Sequence, residues 1–244
     1  MSGEFVEPLE DRAYPEGRVF LAPIRIGFNE THLLADASGN ADIAHTIATM
    51  GGAIFEDVLE PALLESWTRV AYGAAWNEVD MRQFGVRSND LSPSTALPFC
   101  LVLARAPFMR WLEAITGCAS IAAIEGHVSQ MRPDHVVGWH RDAGLGIRRL
   151  AMVINLTSST YEGARFLLRR KSTQEPMFAY RATAPGSLAV FRIGDDLQHS
   201  VTRLTAGGPR TTFSGWARGP WAESDSKRDV SLVAWPPLVP AARG

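Results

Sequence analysis

From residue 121 onward the chain breaks into short segments rich in β-formers, at 121–131, 150–156, 164–168, 187–191 and 211–216. Clusters of Gly, Pro, Asn and Asp set each one off from the next. That punctuation constrains the fold more than any other feature. Segments this short cannot bury a core face singly, so they must pair into a β-sandwich or barrel. The half before them has a different texture. Pro61 suits a first helical turn, and Leu63, Leu64, Trp67 and Val70 recur on one helical face. Pro107 and Gly117 bracket a second helix, whose Phe108, Trp111, Leu112 and Ile115 make an i, i+3, i+4, i+7 stripe that reads as core packing. Residues 1–50 read as strands and loops, with an apolar run at 19–26 and turn pairs at Gly39-Asn40 and Gly51-Gly52. The expected architecture is an all-β core with flanking helices.

Composition narrows the function classes. A chain of 244 residues that is 46% hydrophobic and 20% charged has ample material for a core, which argues against disorder and coiled coils. With 24 Lys and Arg against 26 Asp and Glu, it is not a polybasic nucleic-acid binder. No apolar run approaches the roughly 18 residues of a membrane helix. Residues 1–12 are acidic and lack the pattern of a secretory signal. Cys100 and Cys118 are too few for a disulfide framework or a Cys-rich zinc site, and a reducing cytoplasm is the expected setting. The expected organisation is a single domain over 1–244. In it, 1–120 is a helix-and-strand buttress, 121–220 the core, and 221–244 an extended tail holding Trp235-Pro236-Pro237 and Pro240. The expected partner is a small-molecule substrate, with no nucleic acid and no membrane; monomer and homodimer are both open.

Several chemistries drop out by inspection. There is no G-x-x-x-x-G-K loop. Gly144 and Gly146 lack a third glycine at position 149, so the dinucleotide fingerprint fails, and neither G-x-S-x-G nor H-E-x-x-H occurs. Of six histidines, only His140 has a carboxylate two residues on, in Gly138-Trp139-His140-Arg141-Asp142. On a strand, residues two apart share a face, so an imidazole and a carboxylate can converge there on one metal. His199 is the best third ligand, just after the β-rich segment 187–191 and its turn at Gly194-Asp195. Two histidines and one carboxylate are the facial triad of non-haem Fe(II) oxygenases. Arg210, eleven residues past His199, offers a planar fork for a carboxylate.

These segments resemble the Fe(II)/2-oxoglutarate-dependent oxygenases, especially the branch that looks like prolyl 4-hydroxylases. The text that carries the resemblance begins with His140-Arg141-Asp142 and Tyr161-Glu162-Gly163-Ala164-Arg165-Phe166. It continues through Ala184-Pro185-Gly186-Ser187-Leu188-Ala189-Val190-Phe191, His199-Ser200-Val201 and Arg210-Thr211-Thr212 to Trp216. The match spans about 124–218, and 53–70 looks similar to a helical lead-in common in such enzymes. The resemblance implies a double-stranded β-helix, or jelly roll, with iron at its open end. It implies His140, Asp142 and His199 as Fe(II) ligands, and Arg210 with Thr212 as the holders of the distal carboxylate of 2-oxoglutarate, with O2 as the oxidant. Succinate and CO2 would leave with a hydroxylated product; desaturation or cyclisation uses the same centre. Met131 and Asp134 stand where many relatives carry tyrosine and glycine, and Gly163-Ala164 replaces a common Gly-Gly. Asp142 disfavours halogenation, since related halogenases replace this carboxylate by a small residue.

Substrate contacts are expected from loops, because strands fix the metal and cosubstrate. The candidates are Trp76, Arg82 and Phe84 in the turn-rich segment 76–94, read as a lid loop, the stretch 143–149 with Arg148 and Arg149, and Arg141, Trp216 and Arg218 near the expected mouth. Met131 and Asn155 fall on strands expected to line the pocket. Two other classes stay open: a zinc hydrolase or isomerase on the same ligands, and a jelly-roll binding protein without activity.

Overall fold

The structure is a computed structural model describing residues 13–34, 37–81, 85–90, 92–118, 120–142, 147–182 and 184–220. Its first part runs β1 (Val19–Leu21), β2 (Ile24–Ile26), β3 (Thr31–Leu33), α1 (Ala37–Met50), β4 (Gly52–Glu56), α2 (Pro61–Tyr72), β5 (Asn77–Met81), β6 (Gly85–Asp90), α3 (Pro93–Leu103) and α4 (Ala106–Thr116). Strands then dominate: β7 (Ala123–Met131), β8 (Val136–His140), β9 (Arg148–Asn155), β10 (Tyr161–Gly163), β11 (Phe166–Arg170), β12 (Pro176–Tyr180), β13 (Leu188–Arg192), β14 (Leu197–Val201), β15 (Leu204–Gly207) and β16 (Arg210–Arg218).

Twelve strands form one sheet in the order β1-β4-β13-β9-β16-β7-β6-β8-β14-β11-β12, with β5 hung on β6. Apart from the parallel β1–β4 pair, its ladders are antiparallel. β5 occupies one edge of β6, and the other edge pairs with β8 at Gly85 and Val86 and with β7 at Ser88–Asp90, so β6 carries the sheet around a corner. The sheet therefore folds back on itself, and Phe166 of β11 meets Phe191 of β13 with ring centroids 4.5 Å apart. This is the jelly roll expected from the sequence.

Side-chain alternation sorts the two faces of the sheet. On β9, Leu150, Met152 and Ile154 pack outward under the helices, while Ala151 looks into the roll. Both faces are covered, which is why 150–156 reads as a nearly unbroken apolar run. Outside, Trp67 of α2 and Phe99 of α3 lie 4.6 Å apart, and Phe99 stacks on Phe213 of β16 at 4.9 Å. The α4 stripe of Phe108, Trp111, Leu112 and Ile115 is fully core, and Gly117 ends that helix in the left-handed conformation that glycine adopts without steric cost.

Two expectations need correction. Residues 37–50 form helix α1 rather than loop. Its apolar stripe is only Ile43 and Ile47, too thin to signal a helix, and packing of both into the outer core holds it in place. The segment 76–94 is not a lid loop either: it contains the β5–β6 hairpin and the start of α3. Its Asn, Asp and Ser residues mimic turn chemistry, yet Ser88, Asn89 and Asp90 are buried strand residues. The tail at 221–244, the residues Arg82 and Phe84, and 143–146 lie outside the described residues. Among the described residues no helix is long and apolar enough to cross a membrane.

Candidate metal centre and cosubstrate pocket

The register of β8 against β14 places His140 directly opposite His199, with ring centroids 4.1 Å apart. β8 ends at His140, and Asp142 lies two residues beyond, where its carboxylate turns back toward both rings. Asp142 Oδ1 is 3.7 Å from His140 Nε2, and Oδ2 is 3.2 Å from His199 Nε2. One ligand atom from each residue falls within 4.8 Å of the others, and all three side chains are largely buried. His140 Nδ1 lies 2.8 Å from the Gly138 carbonyl oxygen, which can only accept; Nδ1 therefore carries the proton and Nε2 offers a lone pair to the centre. Trp216 Nε1 donates to Asp142 Oδ2 at 2.8 Å and holds the carboxylate in place.

The charges suit a cation. Burial pushes His140 down to about 3, with His199 adding to the effect, so its ring is neutral at ordinary pH. For Asp142 burial works to raise the value, but His199, His140 and the Trp216 N–H outweigh it and hold the carboxylate well below its usual range. Two imidazoles and one carboxylate, gathered in a largely buried cleft, match the donor set of a facial triad.

Deeper in the same cavity, Arg210 opens β16, paired across to Met131 of β7. Its guanidinium is buried, with Nη1 at 3.6 Å from Met131 Sδ and Nε lacking a partner. The Tyr180 hydroxyl lies beside it without completing a hydrogen bond of good geometry, and burial pushes that phenol up. Thr212 shares the inward face of β16, its hydroxyl 3.0 Å from Ser129 Oγ.

The sequence profile of the 2OG-Fe(II) oxygenase superfamily matches residues 126–218, the span that supplies all three triad residues and Arg210. The chain carries this superfamily's match over 93 of its 244 residues. It is thus a dioxygenase that works with Fe(II), 2-oxoglutarate and O2. Solved structures share its fold. An oxidoreductase of the 2OG-Fe(II) oxygenase family from Burkholderia pseudomallei is 17% identical, with a TM-score of 0.59 over 80% of this chain and 95% of that one. A Pseudomonas putida prolyl-4-hydroxylase is 17% identical, with a TM-score of 0.56 over 75% of this chain and 100% of that one. HygX from Streptomyces hygroscopicus, solved with nickel, 2-oxoglutarate and hygromycin B, is 16% identical, with a TM-score of 0.52 over 75% of this chain and 90% of that one. No curated protein sequence matches the chain.

The other residues singled out from the sequence of this oxygenase are scattered. Trp216 lines the cavity, and its indole N–H is engaged by Asp142. Arg218 sits at the rim, Nη1 3.1 Å from Glu125 Oε2, while Arg148 donates to Glu125 Oε1 at 2.7 Å and covers the Trp216 ring at 3.8 Å. Arg141, just past the end of β8, is exposed and pairs with Asp195 at 2.9 Å. Trp76 does not reach the metal cavity; it packs toward the helix-side core and lines a separate hollow with Tyr72, Arg132 and Pro209. Asn155 braces a turn, donating to the Ala184 carbonyl at 3.0 Å and accepting from the Thr157 N–H at 3.1 Å. Sequence reasoning missed Arg87 of β6, which lines the cavity beside the triad, and Tyr180 beside Arg210. No local motif marks either one; only the closure of the roll brings them in.

Proposed function

We propose that this oxygenase holds Fe(II) through His140, Asp142 and His199, binds 2-oxoglutarate with its distal carboxylate on Arg210 and Thr212, and hydroxylates a small molecule. The observation that carries the reading is the cross-strand pairing of His140 with His199, with Asp142 clamped between them by Trp216. Fe(II) with 2-oxoglutarate and O2 supplies the oxidising power, splitting 2-oxoglutarate to succinate and CO2 while a substrate C–H becomes C–OH. The chain's own residues bind, orient and shield. Arg210 meets the distal carboxylate with a fork that a lysine cannot reproduce, and the unengaged Tyr180 hydroxyl stands ready as a further donor. Phe166 and Phe191 close the cavity beside His199 and keep bulk water from it. On this reading the chain is a single domain in which 121–220 supplies most of the catalytic roll, while 1–120 adds β1, β4, β5 and β6 to its sheet and the helices that buttress it. The free thiols of Cys100 and Cys118 suit a cytoplasmic setting.

The test is metal and cosubstrate binding under anaerobic conditions. Wild type takes one Fe(II) or Co(II) per chain and binds 2-oxoglutarate only when metal-loaded. His199→Ala and His140→Ala lose tight metal binding with little change in thermal unfolding. Stoichiometric metal retained in both variants would overturn the ligand assignment.

A further inference from the structure

Arg87 is the one cavity guanidinium that the reading above leaves without a task. Gly85, at the head of β6, has φ +96° and lies so close to β8 that a Cβ would sit 2.2 Å from the Val136 carbonyl oxygen, so only glycine lets β6 pass there. Two residues on, Arg87 faces into the roll. The register Ser88↔Gln130 and Asn89↔Ser129 places it in one row with Met131 and, beyond that, Arg210. Its side chain lines the cavity with His140, Asp142 and His199. It makes no ion pair or hydrogen bond among the described residues, and its Nε is enclosed. Burial works against its charge, Asp142 supports it and Arg210 opposes it, while its field reaches His127 and His140. The guanidinium therefore stands beside the triad.

An arginine does not shed its proton, and a buried charge without a partner is costly. Asp142 is already shared by two imidazoles and the Trp216 N–H. Fe(II) and the 2-oxoglutarate dianion cancel each other's charge. Of two guanidinium groups against one carboxylate, one positive charge is left over, and Arg87 carries it. His127 on the neighbouring strand adds a buried Nε2 with no partner, 5.5 Å between its ring and that of Trp216.

We propose that Arg87 receives a carboxylate of the primary substrate, so that the enzyme acts on a small organic acid whose apolar body meets Phe166 and Phe191. The inference rests on the proposed function but fails separately from it. The competing source of the same anion is the 1-carboxylate of 2-oxoglutarate, and the experiment distinguishes the two.

Ni(II)-loaded wild type and Arg87→Gln are first titrated with 2-oxoglutarate. Equal Kd within about twofold is expected, while a loss in Arg87→Gln comparable to that of Arg210→Gln hands Arg87 to the cosubstrate and overturns the proposal. Failure of wild type itself to bind 2-oxoglutarate counts against the proposed function instead. The ternary protein is then challenged with a panel of monocarboxylates and their matching primary amides, read by thermal unfolding. Some acids should raise Tm of wild type where their amides do not, and Arg87→Gln should erase that preference. No acid outperforming its amide, or a preference that survives in Arg87→Gln, overturns the proposal. A last arm uses the metal-free protein: Arg87→Met should unfold at a higher Tm than wild type, because it removes a part-buried charge that has no partner among the described residues. A lower Tm would show that Arg87 serves the fold and would also overturn the proposal.

Discussion

Replacing Trp216 by phenylalanine isolates one hydrogen bond at the proposed metal centre. The indole Nε1 donates to Asp142 Oδ2 at 2.8 Å, in a cavity where both side chains are largely buried. Phenylalanine keeps an aromatic ring under Arg148, which covers Trp216 at 3.8 Å, and next to His127. What disappears is the donor to a charged acceptor, worth about 1.5–3 kcal/mol. The carboxylate is then free to rotate away from the two imidazoles, so most of that energy should show as weaker metal binding. At ~1.4 kcal/mol per tenfold, the loss is roughly 10- to 100-fold in metal Kd, the range typical of partners that orient a ligand. The assay is anaerobic competition for Fe(II) or Co(II) against a chelating indicator, with thermal unfolding as a control for the fold. A Trp216→Phe protein with normal unfolding and an unchanged metal Kd would refute the reasoning, because Asp142 would then be positioned by something else.

Further outcomes follow from the same structure. Arg210→Lys should raise the KM for 2-oxoglutarate more than it lowers kcat, and Arg210→Ala should cost about 3–5 kcal/mol in cosubstrate binding; an unchanged KM in steady-state assays of both removes Arg210 from the site. Phe99→Ala, which opens a hole between Trp67 and Phe213, should destabilise the protein by about 3–5 kcal/mol in urea unfolding and leave the metal Kd alone. His127 is pushed down to about 3 in the fold, by burial first and Arg87 next, against 6.5 for a free imidazole. Between these values the unfolded chain takes up the proton first, so His127 lowers the stability of the metal-free protein as pH falls from 6.5 toward 3 and has no such effect above 6.5. His127→Phe should flatten the slope of unfolding free energy against pH in that window by up to about 1.4 kcal/mol per unit, and an unaltered slope would count against its buried, neutral state.

The clustering of His140, Asp142 and His199 was legible because these residues carry their own spacing. His140 and Asp142 are two apart, and His199 and Arg210 follow in segments whose order is distinctive. Helices α2 and α4 were legible because a broad apolar stripe and a terminal proline announce them. Helix α1 was not, since two isoleucines make too narrow a face, and the core that holds them is assembled from distant strands. The β5–β6 hairpin hid for the opposite reason: Arg87 and Asn89 face a polar interior, so the strand shows no alternation of apolar and polar residues. Trp216 could be placed near the mouth from sequence, but its bond to Asp142 spans 74 positions and depends on the closed roll. Arg87 and Tyr180 carry no local signature, and only the sheet's corner at β6 and the return of β12 bring them to the cavity.

The central claim is that His140, Asp142 and His199 hold the iron that drives 2-oxoglutarate cleavage, and it can be tested without knowing the substrate. Purified protein is incubated in air with 2-oxoglutarate labelled at carbon 1, and labelled CO2 and succinate are measured together. Wild type should release the two in equal amounts, only with Fe(II) present, and His140→Ala and His199→Ala should fall to background. Release that persists in both variants, or that proceeds equally well with Zn(II) in place of Fe(II), would contradict the account.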